Sequence, residues 1–130
     1  MNGLLEFAKE EHIQIDFFPM SKVKACSVPR SIAINPNMIE NNRELKECIA
    51  HELGHQATGS FYKLSSKFET RSRMEERATR WAVQKLISAD SLKRALEKGY
   101  TEIWQLAEYF DVPENFIKDT VRIHKLKGNL

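Results

Sequence analysis

Two histidines four residues apart around a glutamate, in His51-Glu52-Leu53-Gly54-His55, commit the middle of this chain to a helix. An α-helix sets residues i and i+4 about 40° apart on one face, which lets two imidazoles share one metal ion. Glu52 is turned roughly 100° from His51, a poor direction for a ligand but a good one for holding water at the metal as a general base. Leu45, Ile49 and Leu53 form an apolar stripe roughly opposite the histidines, so one side can be buried while the other presents the ligands. Ala50, Gly54 and Ala57 are small. A glycine inside a helix costs about 0.5–1 kcal/mol relative to alanine, so Gly54 predicts a neighbour packed close against the metal helix. Asn41 or Asn42 is the expected N-cap, and Gly59 the expected stop.

Around this helix the chain reads as one domain over residues 1–130, α+β and helix-rich. Leu4, Leu5, Phe7 and Ala8 predict a first helix over about residues 2–12, with His12 an ordinary helix-end residue. Ile13, Ile15 and Phe17 alternate with polar residues, and VKACSV and SIAIN follow between Pro19, Pro29 and Pro36. These segments predict a small antiparallel sheet in the N-terminal third. Residues 60–70 read as a loop anchored by Phe61, Tyr62 and Phe68. Further helices are expected over about 72–87, 89–97, 101–109 and, from Pro113, to about 125. Trp81 and Trp104 sit at helical spacing with apolar neighbours and are expected in the core.

A catalytic zinc takes three protein ligands and keeps a fourth position for water, so one ligand must come from elsewhere. The metzincin pattern would place Gly and His three and six residues beyond His55, where Thr58 and Phe61 stand. The alternative is a glutamate on a later helix, as in thermolysin-like gluzincins, and Glu75 and Glu76 are available. Glu75 falls with Ala78 and Ala82 on a small-residue face that could abut the histidine helix. Glu76 falls with Arg73, Arg77 and Arg80 and fits surface pairing, so Glu75 is the better candidate. Cys48, one turn before His51, reads as a core thiol, and two cysteines are too few for a disulfide scaffold.

Strand, ECIA, HELGH and then Glu75-Glu76-Arg77-Ala78-Thr79-Arg80-Trp81-Ala82 resemble the ImmA/IrrE family of zinc metallopeptidases of prophages and mobile elements, over about residues 30–88. The resemblance implies a zincin-like fold, Zn2+ held by His51, His55 and Glu75, catalysis by Glu52, and SIAIN as an edge strand for an extended peptide. It also implies a protein substrate, a helix-turn-helix repressor. Thr79 stands where many members have Asn, and Trp81 where Phe is commoner. Tyr62, Tyr100 and His124 are the available candidates for a second oxyanion donor, but none stands at a diagnostic spacing and each reads first as an amphipathic residue at the edge of the core.

Within a helical C-terminal subregion over about residues 101–126, LAEYFDVPENFIKDT resembles a helix-turn-helix, with Leu106, Ala107, Phe110, Val112 and Ile117 at its core positions and Asp111 in place of the usual turn glycine. Its second helix offers Glu114, Asn115, Lys118, Asp119 and Arg122. That mixed-sign face, with a net charge of only +2 for the chain, predicts protein docking and no direct nucleic-acid contact. Charged residues interrupt every apolar run, so neither a signal peptide nor a membrane span is expected, and a cytoplasmic location follows.

Overall fold

The computed structural model describes all 130 residues. Helix α1 (Asn2–Glu10) leads to strands β1 (Gln14–Phe17), β2 (Ala25–Val28) and β3 (Ser31–Ile34), and a single 3-10 turn at Pro36–Met38 precedes five helices. These are α2 (Asn42–Thr58), α3 (Phe68–Leu86), α4 (Ala89–Glu97), α5 (Ile103–Phe110) and α6 (Glu114–Leu126). One buried cluster draws residues from all six helices and from β3, so every element closes on the same core. No helix is long and apolar enough to cross a membrane.

The sheet is mixed, not wholly antiparallel. Its order is β1-β3-β2, with β1 parallel and β2 antiparallel to β3. Asn35, buried at the end of β3, explains the crossover. Its amide donates to the carbonyls of Met20 and Val23 at 2.7 and 3.0 Å, and its N–H donates to Lys24 at 2.8 Å. The link between β1 and β2 is thereby clamped across the end of β3, which drops β2 on the far side. SIAIN is therefore the central strand, with Ile32 and Ile34 fully buried, and the open edge beside the metal helix belongs to β2.

Asn41 caps α2 by accepting from the Glu44 N–H, and Gly59, at φ 64°, ends it in the left-handed conformation. Ile49 and Leu53 are buried and Leu45 packs against the core. Gly54 meets α3 as its size predicts: a Cβ built there would lie 2.4 Å from the Ala78 carbonyl oxygen. Gly54→Ala should therefore destabilise the chain by about 1–3 kcal/mol although alanine is the better helix former. Urea denaturation reads this, and an unchanged midpoint would contradict the close crossing.

Helix α3 starts at Phe68, ahead of the expected Ser72, because its first turn faces solvent and carries no apolar repeat; Phe68 is 74% exposed. Trp81 packs on Phe7 with ring centroids 5.0 Å apart. Trp104 does not enter the core: Leu106, Ala107 and Phe110 take the inner side of α5, and Trp104 is left 57% exposed beside Tyr100 and Tyr109. Asp111 adopts φ 56° at the α5–α6 turn, where glycine would be unstrained. Arg43 donates to its carboxylate at 3.0 Å, and Lys46 donates to the Phe110 carbonyl at 3.0 Å, so α2 holds this turn in place.

Candidate metal centre

Helices α2 and α3 bring His51, His55 and Glu75 to one point. The Nε2 atoms of His51 and His55 lie 2.5 and 3.1 Å from the same Glu75 oxygen, Oε2. The three ligand atoms fall within 4.8 Å of one another. Two imidazoles and one carboxylate are the donor set of a catalytic zinc, so the residues present fit that ion. The histidine hydrogen bonds hold the Glu75 carboxyl well below the usual carboxylate range. Burial lowers the His55 pKa, but Glu75, Ser60 and Glu52 outweigh it and raise the value overall.

The turn after α2 orients His55. Gly59 swings the chain back so that the Ser60 carbonyl lies 2.6 Å from His55 Nδ1. A ring N–H donated there leaves the Nε2 lone pair free to face the cluster. Ser60 is fully buried, and its hydroxyl lies 2.7 Å from that of Thr58. His51 is held more loosely, with Thr79 Oγ1 at 3.4 Å from its Nδ1.

Glu52 is buried, and its Oε1 accepts from Ser27 Oγ at 2.9 Å. Ser27 lies on β2, so the edge strand and the glutamate are coupled directly. Gln56 fixes the hairpin between β2 and β3 to α2, accepting from the Arg30 N–H at 2.8 Å and donating to the Val28 carbonyl at 2.7 Å. Because Asn35 pairs with Lys24 and antiparallel pairing alternates, Cys26 and Val28 turn their main-chain groups to β3. Ala25 and Ser27 turn theirs to the open edge.

Of the three candidate oxyanion donors only Tyr62 reaches the cluster, its hydroxyl donating to Glu75 Oε1 at 2.5 Å. Tyr100 stacks on Tyr109, and buried His124 lies 2.9 Å from the Ile87 carbonyl through Nε2. Glu76 is turned away and paired with Arg122 at 2.7 Å and Arg80 at 3.2 Å. Cys48 stays outside the cluster, and burial pushes its thiol pKa up to about 12. Ser27, Ser60 and Gln56 escaped the sequence reading, because each acts through a fold contact that no spacing encodes.

A family model for the IrrE N-terminal-like domain, a peptidase family, matches residues 8–122. The chain belongs to that family. No curated protein and no solved structure matches it. Membership makes the function metallopeptidase-like, and the peptidase class fits a cluster positioned to bind a metal. The matched span takes in the C-terminal helices, so α5 and most of α6 belong to the family unit.

Proposed function

We propose that this IrrE-like domain is a zinc-dependent endopeptidase acting in the cytoplasm, whose substrate is a helix-turn-helix repressor of a prophage or mobile element. The convergence of His51, His55 and Glu75, with Glu52 held beside them, carries the reading. Zinc bound by the three ligands would polarise the scissile carbonyl and acidify water toward a pKa of about 7. The remaining steps belong to side chains. Glu52, steadied at Oε1 by Ser27, takes the proton of the attacking water at Oε2 and passes it to the leaving amine. Tyr62 turns its hydroxyl from Glu75 to the developing oxyanion. An extended peptide pairs with the outward main-chain groups of Ala25 and Ser27, so β2 takes the role that the family resemblance implies for SIAIN.

Most of the selectivity comes from docking away from the cut. The cavity beside Glu52 measures about 260 Å3, room for one side chain and not for several. Helices α5 and α6 supply the docking surface. Nucleic acid is a poor fit there, because Asn115 donates to Glu47 and Arg122 is shared between Glu76 and Asp119.

Incubation of the zinc-loaded protein with the repressor encoded nearest to it, and separately with casein, tests the substrate. Mass spectrometry should find one cut in the repressor and little or none in casein. Intact repressor beside degraded casein would leave a general peptidase in place of a selective one.

A further inference from the structure

A cavity of about 260 Å3 opens between the start of β2 and the middle turns of α2, walled by Lys24 and Ala25 on one side and by Glu47, Cys48, His51 and Glu52 on the other. A peptide paired with the open edge of β2 alternates its side chains across the strand, so one of them points into this space. Ala25 is small enough to leave the entrance clear.

The charges in the cavity are unevenly matched. The Lys24 ammonium is held by Glu44 at 2.6 Å. Glu52 and Glu75 would together balance a dication held at the cluster. Glu47 remains, and it receives only a neutral amide N–H from Asn115, at 2.8 Å, with no lysine, arginine or histidine paired to it. Burial pushes its carboxyl above the usual range, with Asn115 and, more weakly, the charges of Lys24 and His51 opposing and Asp119 adding to it. A half-buried carboxylate with no ion-pair partner of its own is relieved by an incoming cation. Cys48, whose thiol stays protonated, adds an uncharged wall for an aliphatic stem.

We infer that Glu47 makes this cavity a specificity pocket for a lysine or arginine side chain of the substrate, at a residue flanking the scissile bond. This deepens the peptidase reading and rests on it for the direction of the bound peptide. A lysine stem would run past Ala25 and Cys48 and place its ammonium on the Glu47 oxygen that Asn115 leaves free.

Binding of N-acyl-lysine hydroxamate and N-acyl-norleucine hydroxamate to the zinc-loaded full chain tests the pocket without requiring turnover. The two probes share their metal-binding group and aliphatic stem and differ in the ammonium. The lysine probe should bind about tenfold tighter, the scale of one charge-assisted contact. Glu47→Gln, which keeps a hydrogen-bonding group for Asn115, should bring the two within about twofold. Glu47→Lys should turn the preference toward an N-acyl-glutamate hydroxamate. Equal affinities in the wild type, a lysine preference surviving in Glu47→Gln, or no binding of either probe would each overturn the inference. A chain that cleaves no peptide yet prefers the lysine probe would defeat the peptidase reading alone. An active chain indifferent to lysine would defeat this inference alone.

Discussion

Glu52→Gln should lower repressor cleavage by about 10²–10⁴-fold, the contribution of one positioned general base, while the protein still binds about one zinc. The amide oxygen of glutamine can accept from Ser27 as Oε1 does now, so the local geometry survives and only the proton acceptor is lost. Mass spectrometry of the fragments and elemental analysis of the variant read the two halves separately. The same variant separates proteolysis from a second class of function, a zinc-stabilised module that docks a repressor without cutting it. A docking module would still inactivate the repressor with glutamine at position 52. Unchanged fragments at an unchanged rate would remove Glu52 from the chemistry.

Glu75→Ala should weaken zinc binding by more than about 100-fold, beyond the range typical of residues that merely orient a ligand. It removes the one carboxylate that both imidazoles face. Because a metal bound only to the native state stabilises it by mass action, the zinc-dependent rise in melting temperature should vanish as well. Glu76→Ala breaks the pairs with Arg122 and Arg80 on the exposed side of α3 and should leave zinc affinity unchanged. Full zinc occupancy in Glu75→Ala with loss in Glu76→Ala would reverse the assignment. Differential scanning fluorimetry with and without zinc, beside a competition titration, decides it.

The metal helix was legible because its constraints are local. Spacing fixed the face shared by His51 and His55, Asn41 and Gly59 marked the ends, and the missing side chain of Gly54 announced the crossing with Ala78. The choice of Glu75 over Glu76 was legible for a related reason, since small residues reveal which side of α3 is pressed against a neighbour. The strand order was not legible. Alternation identifies a strand but not its partner, and the partner is set by Asn35 gripping a loop up to 15 residues away. The same limit hid Ser27, 25 residues from Glu52 in sequence and 2.9 Å from it in space. Trp104 misled because helical spacing beside apolar residues does not say whether another element covers that side of α5. Ser60 lay one residue past a correctly placed helix end, and only the left-handed turn at Gly59 shows that its carbonyl comes back to His55.

The most direct measurement is a zinc titration of the metal-free protein with repressor cleavage as the readout. Cleavage should be absent after chelation, return in proportion to added zinc and level off at about one ion per chain, as expected for a single site of three protein ligands. Full activity in the protein shown by elemental analysis to lack metal would contradict the account. So would zinc binding at His51, His55 and Glu75 that restores no cleavage.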